Sequence, residues 1–139
     1  MSKQMALDCP QPTSAPARLA GMCAVVVAAL VLRALPFHRV RSLASVMTRR
    51  TANPASATEA GAALAAVDAG GAQLPFRVAC LERSLAATLM LAWRRRRVAW
   101  CVGVKLAPLA SHAWIAVDGN PIGEADNVVK MYRVLFTTD

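Results

Sequence analysis

Residues 79–92 read ACLERSLAATLMLA, and the periodicity of this stretch decides the fold of the second half of the chain. Its apolar side chains recur at spacings of four and three residues, which is the pattern of an α-helix that buries one stripe. These residues are Leu81, Leu85, Leu89 and Ala92. We therefore predict a helix over about residues 79–95, ended by the run of arginines at 94–97.

After this helix the hydrophobic period changes to two, as it does in a β-strand. Alternation runs from Val98 to Leu106, and a second apolar segment runs from Ala110 to Val117. Residues 118–121 (DGNP) predict a turn, and a third, short strand begins at Ile122. The tail at 126–136 predicts either another strand or a packed terminal segment.

The residues before the predicted helix read as a polar tail followed by further helices. Residues 1–17 are polar and rich in proline, so we expect them to be disordered. Residues 18–50 read as helix, broken near Pro36 because proline cannot continue the hydrogen-bond ladder. Helices first and an antiparallel meander afterwards form an α+β layout. We predict N-terminal helices, then a cysteine-bearing helix packed on a small antiparallel sheet.

A third helical segment is rich in alanine. It covers residues 57–69, with Thr58 as the expected N-cap and Gly70-Gly71 as the expected end. We divide the chain into a helical N-terminal region at 18–73 and a core at 74–139, and expect the two to form one compact domain.

The composition suits a single folded domain with a basic surface. The chain has 139 residues, is 56% hydrophobic and carries a formal net charge of +8. The excess arginines fall in two clusters, which we interpret as solvated helix ends. The clusters are Arg33, Arg39, Arg41, Arg49 and Arg50, and Arg94 to Arg97. Because no aromatic residues are interleaved with them, we predict no nucleic-acid partner.

Residues 19–32 form an apolar run of 14 residues, which is shorter than the ~20 residues that a membrane-spanning helix needs. We predict a buried helix here, with a membrane helix and a signal peptide as alternatives that we do not favour.

The four cysteines have irregular spacing and no CxxC pair, so we predict neither a disulfide scaffold nor a metal site. We also predict no cofactor and a cytoplasmic location. Cys23, inside the apolar run, is expected to be buried.

Two residues could carry chemistry together: Cys80 and His112. Cys80 falls in the first turn of its predicted helix, where unpaired backbone N–H groups and the helix dipole stabilise a thiolate and lower the pKa of a cysteine. The same N–H groups could bind an oxyanion. A histidine on a facing strand can hold the proton and pass it to a leaving amine. Each residue alone is more typical of ordinary packing, so the pairing carries the hypothesis.

The stretch CLERSLA at residues 80–86 resembles the signature of lasso-peptide leader peptidases, which belong to the transglutaminase-like superfamily. Two further stretches match in order and spacing: WRRRRV at 93–98 running into VGV at 102–104, and HAWIAVDG at 112–119. The closing MYRVL is also similar, so the resemblance covers roughly residues 74–136. It implies a transglutaminase-like, papain-like core.

The resemblance implies a catalytic triad of cysteine, histidine and an acid. Carried over, the nucleophile is Cys80, the base is His112 and the acid is Glu124, where the family usually has an aspartate preceded by asparagine. Asp118 and Asp126 are the alternative acids. Two other side chains are weaker candidates. Trp114 could shield the site or simply pack in the core, and Gln73 could help to form an oxyanion hole.

The implied activity is hydrolysis of one peptide bond in a ribosomally made lasso-peptide precursor, which removes the leader. Partners would be the precursor peptide, a separate leader-recognition protein and a macrolactam synthetase similar to asparagine synthetase. The segments at 19–32 and 39–50 are candidate docking surfaces for the leader-recognition protein. Two alternatives stay open: a transglutaminase-type acyl transferase, and a non-catalytic membrane-associated scaffold.

Overall fold

The chain folds into helices followed by a small antiparallel sheet, which confirms the predicted α+β class. The computed structural model describes residues 13–125 and 127–138. Its helices are α1 (Ala15–Ala34), α2 (Phe37–Arg50), α3 (Ala57–Gly71), α4 (Cys80–Trp93) and α5 (Val128–Met131). Its strands are β1 (Asn53–Pro54), β2 (Arg96–Arg97), β3 (Ala99–Leu106), β4 (Leu109–Val117), β5 (Asn120–Ile122) and β6 (Arg133–Thr137).

The main sheet has the strand order β5-β4-β3-β6, with antiparallel pairing throughout. The predicted meander is therefore confirmed in its order from β3 to β5, but β5 ends at Ile122, where we predicted the third strand to begin, and the turn before it is limited to residues 118–119. The ambiguous tail becomes strand β6, which pairs with the free edge of β3 instead of continuing the meander. The pair β1–β2 is short and parallel, and it ties the segment after α2 to the residues that follow α4.

The middle of helix α4 is enclosed by its neighbours on every side. Residues 84–88 are five consecutive buried positions, and at 100° per residue they point in all directions around the helix axis. The hydroxyls of Ser84 and Thr88 donate to the carbonyls four residues earlier, at 2.7 and 2.9 Å. The indole Nε1 of buried Trp100 donates to Ser84 Oγ at 2.9 Å, so the sheet is hydrogen-bonded directly to α4.

Helices α1 and α3 approach each other through glycines. A Cβ on Gly21 would collide with the backbone of Ala66, and one on Gly70 would collide with the backbone of Met22. We predicted that the third helix ends at residue 69, before Gly70 and Gly71, whereas α3 includes both glycines and ends at Gly71, with Ala72 as its C-cap.

The N-cap of α3 also differs from the prediction. The cap is Ser56, whose Oγ accepts from the backbone N–H of Glu59 at 3.1 Å, so Thr58 lies inside the first turn. Serine is a good acceptor at this position, which makes the earlier residue an adequate cap.

The first helix begins at Ala15, before the predicted residue 18. Ser14 caps it by accepting from the N–H of Ala17 at 3.3 Å, and Pro16 lies in the first turn, where a proline costs no intrahelical hydrogen bond. The predicted disorder over 1–17 is therefore wrong for residues 15–17, and residues 1–12 lie outside the described part of the chain. The predicted break at Pro36 is confirmed, since this residue is the N-cap of α2.

Helix α1 has 20 residues, so it is longer than the apolar run suggested. By length and composition alone, it is the one helix among the described residues that could cross a membrane. A core helix of a soluble protein can have the same properties, and α1 packs against α3 and α4.

Only one side of α1 is buried, around Val25 and Ala28, and Cys23 lies on the exposed side. The expected burial of Cys23 is therefore wrong.

Candidate active site

Cys80 is the first residue of α4 and a half-buried free thiol. The N-cap residue, Ala79, has no side chain that could accept a hydrogen bond from the first turn. The backbone N–H groups of this turn are consequently uncapped, and they form a set of donors beside the thiol. An uncapped first turn carries the positive end of the helix dipole, which favours a negative charge on a nearby sulfur or oxygen atom.

His112 and Glu124 are in direct contact. His112 Nε2 lies 2.8 Å from Glu124 Oε2, and the two side chains are 23% and 12% exposed. An ionised carboxylate can only accept a hydrogen bond, so Nε2 carries the proton in this pair. The other ring nitrogen, Nδ1, has no hydrogen-bond partner among residues 13–125 and 127–138. The neutral imidazole therefore keeps a lone pair on Nδ1, which can accept a proton.

Two aromatic rings hold the imidazole of His112. The Trp114 indole stacks on it, with ring centroids 5.9 Å apart and planes 23° apart, and the ring of Tyr132 lies 5.5 Å away. Trp114 is 2% exposed, so it both packs in a core cluster and covers one face of the histidine. Gly103 pairs with His112 across β3 and β4, and a Cβ there would lie 2.9 Å from the indole. The missing side chain makes room for this stack.

Arg83, to which the sequence patterns gave no role, joins this pair to α4. Its Nη1 lies 3.4 Å from Glu124 Oε1, while Nε and Nη2 donate to the two carboxylate oxygens of Asp68 at 2.6 and 3.0 Å. The pKa of Arg83 is raised, chiefly by the hydrogen bond to Asp68, with further contributions from the charges of Asp68, Glu124 and Cys80. Arg83 is thus a cation throughout the pH range in which proteins are usually assayed.

Arg83 is the described link between Cys80 and the histidine pair, since its charge interacts with both Cys80 and Glu124, while no described hydrogen bond joins Cys80 to His112 directly. Arg83 follows Cys80 by three residues, a spacing that puts both on one side of α4. This spacing is the signal that could have singled out Arg83 in the sequence. Within the described part of the chain the Cys80 thiol makes no hydrogen bond. His112 lies on the same sheet face as Trp114, and not on the face where Ile115 packs into the main core. Catalytic hydrogen bonds are often long in free enzymes and shorten when substrate binds.

The other candidate residues have different surroundings. Asp118 is exposed in the turn after β4, with a φ of 52°, and its backbone carbonyl accepts from the Asn120 side chain at 3.4 Å. Asp126 lies outside the described residues. Gln73 is exposed in the turn after α3, so its role in an oxyanion hole stays a prediction. Glu82 lies in the first turn of α4, and its Oε2 is buried with no hydrogen-bond partner among the described residues.

The described residues contain no group of three or more His, Cys, Asp and Glu side chains that could hold a metal ion. Three of the cysteines lie in this part of the chain, and no disulfide joins any of them to another described residue.

Comparison with known protein families shows what the chain is similar to. The family model of the transglutaminase-like superfamily matches residues 22–137, which extends well before the 74–136 of the resemblance seen in the sequence. No curated protein matches the chain, and no solved structure matches it. This superfamily generally includes cysteine hydrolases with Cys-His-Asp triads, and it fits cysteine protease or acyltransferase activity.

Proposed function

The chain belongs to the transglutaminase-like superfamily, and from this premise we propose that it is a cysteine peptidase that removes the leader from a lasso-peptide precursor. In this proposal Cys80 is the nucleophile, His112 is the base and Glu124 is the acid that orients the histidine. It acts in the cytoplasm, before a separate macrolactam synthetase closes the ring. The leader-peptidase assignment rests on the CLERSLA and HAWIAVDG stretches.

The contact between His112 and Glu124 is the observation that carries the chemistry. Glu124 holds Nε2 of the imidazole, so that Nδ1 is available to accept a proton, which is the role of the base in a cysteine peptidase. Arg83 connects this pair to the helix that begins with Cys80. Glu124 is one methylene longer than the aspartate typical of the superfamily, and its carboxylate nevertheless reaches the imidazole.

The proposed reaction proceeds in two steps. The thiol proton of Cys80 passes to His112 Nδ1, and the thiolate sulfur attacks the carbonyl carbon of the scissile bond. First-turn N–H groups of α4 stabilise the oxyanion, and Nδ1 then gives its proton to the leaving amine as the C–N bond breaks. A water molecule loses a proton to Nδ1 and attacks the thioester, which releases the leader carboxylate and regenerates the thiol.

We further propose that a separate leader-recognition protein presents the precursor. The exposed side of α1 supports this docking proposal, because Leu19, Val27 and Leu30 are 59%, 48% and 61% exposed there. The arginines of helix α2 come after this exposed side of α1 in the sequence. An apolar stripe with adjacent cations suits a protein surface with apolar and acidic groups.

The decisive experiment uses Cys80→Ala with Cys23→Ala as its matched control. Both remove one thiol, but Cys23 lies on the exposed side of α1. The substrate is a lasso-peptide precursor, and its cleavage is assayed by mass spectrometry with and without a candidate leader-recognition protein. We expect the Cys80 variant to lose cleavage and the Cys23 variant to retain it.

Other outcomes separate the alternatives. Undiminished leader removal by Cys80→Ala would refute the peptidase mechanism and leave a non-catalytic role. Full activity of the wild-type protein without the leader-recognition protein would contradict the partner proposal alone. Capture of an added amine in place of water would assign the chain to acyl transfer.

A further inference from the structure

We infer that Arg83 is a positioning residue that fixes the Glu124 carboxylate and, through it, the orientation of the His112 ring. The inference rests on the proposed function, because it assigns to Arg83 a part in the same site. Arg83 itself touches neither the thiol nor the imidazole by any hydrogen bond that the described residues make. Its effect on the reaction is therefore transmitted by Glu124.

The two oxygens of Glu124 are divided between two partners. Oε1 faces Arg83 Nη1 at 3.4 Å, and Oε2 faces His112 Nε2 at 2.8 Å. A carboxylate held at both oxygens cannot rotate without losing one contact. The glutamate side chain has one more rotatable bond than an aspartate, so a second contact is needed to give it a single orientation.

Asp68 holds Arg83 in the position that this requires. The Nε and Nη2 atoms of Arg83 form a two-pronged contact with both oxygens of Asp68, which is the strongest geometry for an arginine–carboxylate pair. Only the Nη1 side of the guanidinium is then left for Glu124. Because Asp68 belongs to α3 and Arg83 to α4, two helices together determine where the acid lies.

Gly123 allows the chain to approach this arginine. It has a φ of 68°, which glycine adopts easily and other residues avoid. A Cβ at this position would lie 2.9 Å from Leu64 Cδ1 and 3.4 Å from Arg83 Nη2. The backbone just before Glu124 therefore passes against α3 and the guanidinium, and this independent observation points to the same arrangement.

The test compares Arg83→Met and Arg83→Lys with Arg94→Met as a matched control. Arg94 is an exposed arginine at the other end of α4, with no ion pair among the described residues. Precursor cleavage gives kcat and KM, and the ¹⁵N chemical shifts of the His112 ring report its tautomer. We expect kcat of Arg83→Met to fall about 10–100-fold with KM changed less than about twofold, since small misplacement of a catalytic group has effects of this size.

We expect Arg83→Lys to recover part of the kcat, because an ammonium keeps the charge but cannot form the two-pronged contact with Asp68. The ring ¹⁵N shifts should change in Arg83→Met and stay unchanged in Arg94→Met. If Arg83→Met folds poorly, Asp68→Asn serves instead. Asp68 is 52% exposed, and this change loosens Arg83 without removing it.

The positioning role would be overturned by unchanged ¹⁵N shifts together with a loss of activity no greater than the loss of folded protein. The NMR measurement is repeated in the Cys80→Ala background, where no turnover is needed. If the wild-type protein cleaves no precursor while the shifts still depend on Arg83, the proposed function fails and the positioning role stands.

Discussion

Replacing Glu124 with glutamine should damage the site more than removing the side chain with Glu124→Ala. Glutamine has nearly the shape of glutamate, but one carboxylate oxygen becomes an NH₂ donor. Arg83 offers only donors at 3.4 Å from Oε1, so the glutamine oxygen must face Arg83 and the NH₂ must face His112 Nε2. The imidazole then carries its proton on Nδ1, where it cannot accept the thiol proton.

The expected loss of activity depends on the 2.8 Å hydrogen bond between His112 Nε2 and Glu124 Oε2. Loss of a charge-assisted hydrogen bond alone, at about 1.5–3 kcal/mol, would lower the rate about 10- to 150-fold. A wrong tautomer in a catalytic triad lowers kcat by about 10⁴, or about 5.4 kcal/mol. Because Arg83 selects the wrong orientation, we expect Glu124→Gln to approach the larger value and Glu124→Ala to stay nearer the smaller one.

The assay measures precursor cleavage by each variant, with ¹⁵N NMR of His112 to identify the tautomer. Asp118→Asn is the matched control, because it makes the same chemical change at the exposed turn residue that was the alternative acid. Its activity should match the wild type. Glu124→Gln with more activity than Glu124→Ala, or Asp118→Asn with an equal loss, would refute the reasoning. Asp126→Asn tests the remaining alternative in the same way.

Three further predictions concern stability, measured by urea and thermal unfolding. Gly21→Ala should destabilise the fold by more than about 2 kcal/mol, because the added Cβ meets backbone atoms that cannot move aside. Gly61→Ala is the control: nothing lies within 4 Å of the added Cβ, so this change should be neutral or stabilise the fold by up to about 1 kcal/mol. Equal effects of the two changes would contradict the close packing at Gly21. Gly103→Ala should cost about 1–3 kcal/mol and weaken the His112–indole stack, and an unchanged midpoint would argue against that stack. Trp100→Phe removes the donor to Ser84 and should cost about 1–3 kcal/mol, and an unchanged free energy of unfolding would show that this bond does not hold the sheet to α4.

Local patterns predicted the elements that bear the candidate site. The helix start at Cys80 and the alternation of β3 and β4 are visible over spans of a few residues, and the structure has both. Glu124 came from a family resemblance, and the structure brings it into contact with His112. The catalytic roles of these residues stay predictions, because a contact between side chains does not by itself show a reaction.

The features that the sequence did not reveal depend on long-range contacts. Asp68 and Arg83 are 15 residues apart on different helices, and no spacing rule links them. Ser84 and Thr88 look like polar surface positions in a helix, yet both are buried. Their burial costs little because each hydroxyl donates to a carbonyl one turn earlier. The pairing of β6 with β3 likewise depends on tertiary contacts, so the tail stayed ambiguous.

The enclosure of α4 restricts how anything can reach the candidate nucleophile. Because residues 84–88 are buried all around the axis, the middle of this helix offers no surface to a peptide or a partner protein. Cys80 lies outside this covered stretch, as the half-buried first residue of the helix. In the proposed function, a precursor would therefore present its scissile bond at the N-terminal end of α4 and not along the side of the helix.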